Sequence, residues 1–436
     1  MKQLLAYCLS IILCVSFTGC MENYLDLYPE DKITSASFPE NESDIKLLLN
    51  GVYAQLREKE VYNQGLFGFG ITDGATPNAF NWGTDEVFNK LGAGRLSSSD
   101  GGVVTYRWKR CYEIISRANY LLACMDLVDL SEEAKAKYSG ETHFLRGLAY
   151  SVLAETYGGV PIILTNISTE EARSLKRASL EETWQQALDD YEVAITNLGV
   201  DAPEPGRATK GAALGMKMRA YLYQGKYKEV LSCVEQIDAL KKYGLFHSYE
   251  GLFDPANENN KEVLFDIQYI EGENSQGSYI DQYCGTGTGS WTRGSRYVPT
   301  DDLVAAYETI DGSPVDPENP YENRDPRLGF TAVLPGSYFL GYRFPNYLYP
   351  GGAFNHAGNR LKHLSTRKYR IQDESKLPPS GQSYINDIIL RYADVLLSKA
   401  EAIIETNGNV ADAIAILNRI RTERDCLLYT SDAADE

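Results

Sequence analysis

Apolar residues recur at intervals of three or four positions over much of the chain, and this spacing places them along one face of an α-helix. The pattern predicts a first helix at residues 45–56, entered through the polar residues Asn41 and Ser43. It predicts further helices at Val104–Leu122, Ala212–Gly225, Tyr227–Leu240, Ile389–Thr406 and Val410–Glu423. Phe144, Leu148, Val152 and Leu153 continue the helical spacing until Gly158 and Gly159 end it. The chain is therefore expected to be mainly α-helical.

A capping box predicts the start of another helix. Ser179 is followed three residues later by Glu182, and each of these side chains can accept a hydrogen bond from the other's backbone N–H. Trp184, Leu188 and Tyr191 follow at helical spacing, which predicts that they are buried.

Short turns join two pairs of these predicted helices. Gly225 and Lys226 separate one pair, and residues 407–409 (Asn-Gly-Asn) separate the other. Antiparallel helix pairs of this size are typical of tetratricopeptide units, although no strict repeat can be aligned along the chain. We expect a stack of tetratricopeptide-like helical hairpins with a degenerate repeat.

The character of the sequence changes at residues 243–380. Gly, Pro, Asn and aromatic residues replace the helical period, and Val263–Tyr269 and Gly329–Leu334 are the candidate strands. Its Tyr, Phe and Trp content argues against disorder. Long irregular segments inside a compact chain are usually functional, so this region is the expected ligand-binding face.

The first 19 residues have the layout of a secretory signal. Lys2 provides a positive charge, an apolar stretch runs from Leu4 to Phe17, and small residues follow. Residues 17–20 (Phe-Thr-Gly-Cys) resemble a lipobox, in which Cys20 would carry the lipid that anchors the protein to a membrane. The alternative is an ordinary cleaved signal followed by a chance cysteine.

The last eleven residues, 426–436, have no apolar period of their own. The segment matches an in-frame translation of a common sequencing adapter, so we interpret it as an artefact and expect the natural chain to continue differently after Asp425. No functional role is therefore expected for Cys426.

Charge and composition exclude several classes of function. The chain has 436 residues and a net charge of -18, whereas nucleic acid binding needs clustered Lys and Arg. No run after the leader reaches the roughly 18 apolar residues that a spanning helix needs. The scattered cysteines form no disulfide framework and no zinc-binding pair.

No catalytic, metal or cofactor site is predicted. The chain has four histidines and lacks the HExxH, GxSxG and P-loop motifs. The glycine run Gly285–Gly289 is not followed by a helix, and the acidic segment Asp311–Asp325 suits Asx and proline turns better than a calcium loop. A carboxylate pair for glycoside hydrolysis stays open, because the required separation is spatial.

Several segments together resemble the SusD/RagB family of outer-membrane lipoproteins. They are residues 21–38, Leu47–Leu56, Ile71–Trp82, Trp108–Asn119, Glu141–Ile163, Asn323–Leu328, Arg391–Ile403 and Leu417–Asp425. The resemblance implies a signal at 1–19, an anchor and extended segment at 20–43, and a helical domain at 44–425. It also implies a surface lipoprotein that captures oligosaccharides and passes them to a TonB-dependent, SusC-like transporter in the outer membrane.

Sugar capture needs aromatic faces against the pyranose ring and polar side chains for its hydroxyl groups. The residues that meet this need are Asn78, Asn81, Trp82, Tyr279, Tyr283, Trp291, Arg293 and Tyr297. For each of them the alternative is ordinary packing in a loop. Trp108 and Trp184 lie on apolar helix faces and are expected in the core.

A second aromatic cluster offers either a ligand surface or a surface for the transporter. It comprises Tyr338, Phe339, Tyr342, Phe344, Tyr347 and Tyr349. Three other functions stay open: peptide binding on the same scaffold, a lid that only stabilises the transporter, and, as a distant option, glycan hydrolysis.

Overall fold

The computed structural model describes residues 38–57, 73–81, 90–97, 99–270, 277–278, 280, 297–343, 364–376 and 383–424. The predicted leader, the lipidation site Cys20 and the tail at 426–436 lie outside these residues. In the part of the chain that is described, no helix is both long and apolar enough to cross a membrane.

Most of the described secondary structure is helical. The α-helices are α1 (Glu42–Tyr53), α2 (Val103–Met125), α3 (Glu132–Tyr157), α4 (Thr169–Ser174), α5 (Leu180–Asn197), α6 (Lys210–Tyr223), α7 (Tyr227–Ala239), α8 (Asp301–Ala305), α9 (Pro326–Thr331), α10 (Tyr392–Glu405) and α11 (Val410–Thr422). Single 3-10 turns occur at Ala54–Arg57, Asp73–Ala75, Gly251–Phe253, Pro255–Asn257 and Glu374–Lys376.

The strands are short and pair two by two. They are β1 (Ala79–Asn81), β2 (Val263–Ile267), β3 (Tyr297–Pro299), β4 (Ala332–Val333), β5 (Tyr338–Phe339), β6 (Tyr342–Arg343), β7 (Ser365–Thr366) and β8 (Asp387–Arg391). The described pairs are all antiparallel: β1 with β3, β2 with β8, β4 with β7, and β5 with β6.

The long helices form a stack in which each packs against the next. Helix α3 contacts α2 and α5, α5 contacts α6, α6 contacts α7, α7 contacts α10, and α10 contacts α11. Helix α1 packs against α2 and α3 at one end. The prediction of a mainly α fold built from tetratricopeptide-like hairpins is confirmed.

Two helices begin where the sequence predicts, and local hydrogen bonds cap their first turns. Asn41 Oδ1 accepts hydrogen bonds from the backbone N–H of Ser43 at 2.9 Å and of Asp44 at 3.3 Å, which caps α1. Ser179 and Glu182 form the predicted capping box of α5: the Glu182 N–H donates to Ser179 Oγ at 3.1 Å, and the Ser179 N–H donates to the Glu182 carboxylate at 2.8 Å.

Helices α3 and α5 approach closely around a glycine and a buried ion pair. A Cβ atom on Gly147 would lie 3.0 Å from the ring of Tyr191 and 3.1 Å from the Ala187 carbonyl oxygen. One residue earlier, Arg146 donates to both carboxylate oxygens of Asp190, at 2.7 and 3.0 Å, and both side chains are buried. This seam therefore combines close packing with a bidentate charged hydrogen bond.

The strand pair β2–β8 attaches the irregular region to the helical stack. Both strands are largely buried and lie against α6, where a Cβ atom on Gly215 would overlap Leu390. The predicted strand at Val263–Tyr269 is confirmed over Val263–Ile267. The predicted helix at Ile389–Thr406 begins later, at Tyr392, because residues 389–391 belong to β8. A short buried apolar run has the same periodicity in a strand and in a helix.

Two other boundaries differ from the predictions. The expected strand at Gly329–Leu334 is helical up to Thr331, because Asp325 accepts a hydrogen bond from the Arg327 N–H and Pro326 occupies the first turn. Helix α3 begins well before Phe144, after the cap Ser131, in a stretch whose helix-forming residues are mostly polar.

The two helix tryptophans differ in burial. Trp184 is buried in the core, as predicted. Trp108 is only partly buried; it packs against the core with ring contacts to Tyr112 at 5.1 Å and to Tyr157 at 5.2 Å. Both residues therefore serve packing in the helical stack.

Candidate functional site

The strand pair β1–β3 brings together two distant segments that carry predicted ligand residues. Asn81 is the Cα partner of Tyr297, Phe80 of Val298, and Ala79 of Pro299. Just beyond the ladder, the backbone N–H of Thr300 donates to the carbonyl oxygen of Asn78 at 3.0 Å. The two segments are therefore fixed in register although they lie far apart in the sequence.

Three of the predicted ligand residues thus lie together: Asn78, Asn81 and Tyr297. Trp82 directly follows β1 but lies outside the described residues, as do Tyr279, Tyr283, Trp291 and Arg293. The ligand role of all eight stays a prediction. Asn78 is exposed.

A cavity of about 290 Å³ opens beside this ladder. Asn78, Ala79 and Pro299 form its wall on the ladder side. Arg219 of α6 and Leu397 of α10 also line it, so the cavity lies at the junction between the irregular region and the helical stack. Its size is near the lower end of ligand pockets, which hold roughly 300–1,000 Å³.

The arginines on the helical side are held by acidic partners. Arg219 Nη2 donates to Asp394 at 2.5 Å and to the Ile389 carbonyl oxygen at 2.9 Å. Arg391 Nη1 donates to the fully buried Glu262 at 2.9 Å, and Arg424 also binds Glu262. These pairs fix the wall of the cavity: Asp394 pairs with Arg219, and Arg391 and Arg424 share Glu262.

Asp73 and Asn78 form the polar edge of the cavity. Desolvation raises the pKa of the Asp73 carboxyl group, whereas the positive charge of Lys368 and a hydrogen bond with the Asn78 side chain oppose that rise. The backbone of this turn is fixed as well, since Thr76 Oγ1 donates to the Asp73 carbonyl oxygen at 2.8 Å. Asn78 therefore projects from an ordered turn.

Lys368 lies on the cavity wall among aromatic rings. Its Nζ atom is 4.7 Å from the ring centroid of Phe253, 5.5 Å from that of Tyr369 and 5.7 Å from that of Tyr249. Burial alone would raise the pKa of Tyr249, but the charges of Lys368 and Arg391 outweigh it and lower that pKa. Sequence analysis missed Lys368, because its neighbours in the chain carry no motif.

The first three members of the second aromatic cluster lie in the hairpin of β5 and β6. Strands β5 and β6 pair Tyr338 with Arg343 and Phe339 with Tyr342. Phe339 is buried, whereas Tyr338 is 67% exposed. Phe344, Tyr347 and Tyr349 lie outside the described residues. Neither Tyr338 nor Phe339 is among the residues that line the cavity.

Two family models match this chain. Residues 261–425 match the model of the SusD family, and residues 23–222 match a SusD-like model described as starch-binding and associating with the outer membrane. The chain belongs to the SusD family.

Relatives match over nearly the whole chain. A SusD-like protein of Formosa agariphila is 26% identical over 96% of this chain and 81% of its own length. A SusD-like protein of Bacteroides ovatus is 24% identical over 93% of this chain and 73% of its own.

Solved structures share the fold. A SusD-like carbohydrate binding protein of Bacteroides fragilis superposes with a TM-score of 0.79, at 25% identity, over 89% of this chain and 79% of that one. A laminarin binding SusD-like protein superposes with a TM-score of 0.73, at 21% identity, over 91% of this chain and 87% of that one.

Proposed function

We propose that the protein is a glycan-binding lipoprotein of the outer membrane that captures oligosaccharides at the cell surface. The observation that carries the proposal is the β1–β3 ladder, which joins the segment of Asn78, Asn81 and Trp82 to the segment that ends at Tyr297. A ligand surface assembled from two loops on a rigid ladder suits an extended, hydroxyl-rich ligand. Family membership and the names of its relatives support the same function.

The remaining predicted residues complete this surface in the proposal. Tyr279, Tyr283, Trp291 and Arg293 precede Tyr297 in the chain, and the proposal assigns them to the same surface. Aromatic faces among them would cover the apolar side of a pyranose, and Arg293 with the two asparagines would bond its hydroxyl groups. The protein binds the glycan without hydrolysing it, in keeping with the carbohydrate-binding names of its relatives.

The attachment and the partner belong to the proposal too. A lipid on Cys20 would hold the protein at the outer membrane, and the captured glycan would pass to a TonB-dependent, SusC-like transporter. The -18 net charge disfavours direct adsorption to anionic lipid, so a covalent anchor is the consistent means of attachment. Labelling cells with a radioactive fatty acid tests this: the label is expected on the natural chain and not on Cys20→Ala.

Affinity electrophoresis tests the binding function. The full chain, in a detergent without sugar groups, is run through gels that contain laminarin, starch, pectin or a sulfated galactan. Retardation by at least one polysaccharide is expected. Trp82→Ala and Trp291→Ala should each weaken retardation by about tenfold if these rings are central contacts. Tyr106→Ala is the matched control, because Tyr106 is an exposed aromatic residue on α2.

The possible results separate the candidate functions. If no polysaccharide retards the chain, the glycan function is wrong, and a parallel titration with a peptide mixture decides whether the scaffold binds peptides instead. If glycan binding survives both tryptophan substitutions, the residue assignment is wrong while the binding function stands. Release of reducing ends from the retained polysaccharide would contradict the non-catalytic role.

A further inference from the structure

The charges around the cavity beside β1–β3 do not cancel. Arg219 is paired with Asp394, and Arg391 with Glu262. Lys368 is different: among the described residues no carboxylate lies within 4.0 Å of its Nζ atom. Asp73 lines the same cavity and interacts with Lys368 through their charges, so in a chain with a net charge of -18 the cavity holds a cation without an ion-pair partner within 4.0 Å among the described residues.

The surroundings of Lys368 strengthen its electric field. Three aromatic ring centroids lie 4.7–5.7 Å from its ammonium group and Lys368 is half-buried, which reduces the screening of its charge by water. Asp73 lines the cavity from the ladder side; desolvation raises the pKa of its carboxyl group, and the charge of Lys368 and the hydrogen bond with Asn78 oppose that rise. An anion that entered the cavity would meet a poorly screened positive charge.

The other walls suit a sugar ring. Asn78 and Thr366 supply hydrogen-bonding groups, and Pro299, Leu303 and Tyr369 supply apolar surface. Asp73, Asn78 and Leu397 are exposed, so the cavity is open to solvent on their side. With a volume of about 290 Å³ it suits one ring-sized unit and not an extended chain.

We propose that this cavity binds one anionic sugar unit, a uronic acid or a sulfated sugar, with its charge directed at Lys368. The inference rests on the proposed glycan-binding function, since it assigns a substrate class to the same site. The rest of the glycan would lie across the β1–β3 surface while the acidic unit occupies the cavity. The protein would then prefer acidic polysaccharides over neutral ones of the same backbone.

Titration calorimetry on the full chain tests the preference. The probes are oligogalacturonate beside its methyl ester, and a sulfated galactan oligosaccharide beside its desulfated form, so each pair differs mainly in charge. At least one acidic member is expected to bind about tenfold tighter than its neutral counterpart, which is the scale of a hydrogen bond to a charged group. The pair that shows the preference identifies the anion as carboxylate or sulfate.

Variants locate the effect. Lys368→Met should abolish the preference, and Lys368→Arg should restore most of it, because Arg keeps the charge. Lys376→Met is the matched control: it removes one exposed positive charge from the same segment outside the cavity. Thermal unfolding of each variant shows that it is folded, and the comparison of acidic with neutral probes on the natural chain does not depend on any variant.

Two results would overturn the inference. Equal affinity for the charged and neutral members of both pairs means that the cavity does not select anions, and the glycan-binding function then stands without it. A preference that persists in Lys368→Met means that the anion binds elsewhere. If no glycan binds, whether charged or neutral, the proposed function itself fails.

Discussion

Asn81 and Tyr297 face each other as Cα partners in the antiparallel pair β1–β3, although about half the chain lies between them. This pairing sets the geometry of the proposed binding surface. It places the loop after β1 and the segment before β3 at the same end of the ladder, because the two strands are antiparallel.

The register of this pair can be tested by cross-linking. Partner Cα atoms of antiparallel strands lie about 4.5–5.5 Å apart, within the range that a disulfide bridges. We expect the double variant Asn81→Cys with Tyr297→Cys to form an intramolecular disulfide under mild oxidation, detected as a shift in non-reducing electrophoresis. Phe80→Cys with Tyr297→Cys is the control, since a one-residue offset places the two side chains on opposite faces. Equal cross-linking of both pairs would contradict the register.

The buried pair between α3 and α5 is expected to matter greatly for stability. Asp190→Asn leaves Arg146 buried without its carboxylate, so the free energy of unfolding should fall by about 3–5 kcal/mol. Urea denaturation followed by circular dichroism measures the change. Asp189→Asn is the control on the same helix, because Asp189 is exposed; its effect should stay within about 0.5 kcal/mol. Equal changes in the free energy of unfolding for the two substitutions would show that the buried ion pair stabilises the fold no more than an exposed carboxylate does.

Two glycine-to-alanine substitutions should act in opposite directions. Gly147→Ala places a methyl group against Tyr191 and the backbone of α5, so overpacking should lower the unfolding free energy by about 1–3 kcal/mol. Gly51→Ala in α1 finds its nearest neighbour, Arg117 Nη1, at 3.7 Å, an ordinary contact distance. There the gain in helix propensity should add about 0.5–1 kcal/mol. A stabilised Gly147→Ala protein would show that α3 and α5 can separate without cost.

Two acidic groups near β2 predict a pH dependence of stability. Burial raises the pKa of Asp266 from 3.8 to about 6 and that of Glu258 from 4.5 to about 7, and the charge of Asp266 adds to the rise at Glu258. A folded-state pKa above the unfolded one favours folding when the group is protonated. This contribution is therefore complete below the unfolded pKa and is lost as the pH rises through the folded pKa.

Melting temperatures of the natural chain and of Glu258→Gln check this dependence. Gln cannot ionise and can still accept the hydrogen bond that Glu258 Oε1 receives from the Asn386 N–H at 2.8 Å. The melting temperature of the variant should therefore rise relative to that of the natural chain as the pH rises from 4.5 to 7. Asp311→Asn is the control, because hydrogen bonds from Ser313 lower the pKa of Asp311 to about 2, outside that window. A constant difference between Glu258→Gln and the natural chain would refute the assignment.

The sequence predicts the helical stack well because its signals are local. Ser179 with Glu182, and Asn41 before the first apolar face, fix helix starts through contacts within one turn. The sequence predicts a helix at Ile389–Arg391, where the structure has strand β8. These residues are extended because they pair with β2, which is far away in the sequence, and no local signal reveals that pairing. In general, a local sequence pattern does not show which distant segments pair in a sheet.

The site was predictable only in part, for the same reason. Residue types sufficed to select Asn78, Asn81 and Tyr297, but nothing in the sequence shows that they share one ladder. The sequence does not point to Lys368, because its proposed role depends on Tyr249, Phe253 and the cavity that folding creates.

Hydrogen–deuterium exchange tests most directly whether the β1–β3 ladder and its loops bind glycan. The full chain is compared with and without the polysaccharide that retards it most strongly in the affinity gel. We predict slower exchange at 73–81 and 297–300 in the presence of the polysaccharide, and unchanged exchange in α3. Unchanged exchange at the ladder, or protection confined to the helical stack, would contradict a binding surface at β1–β3.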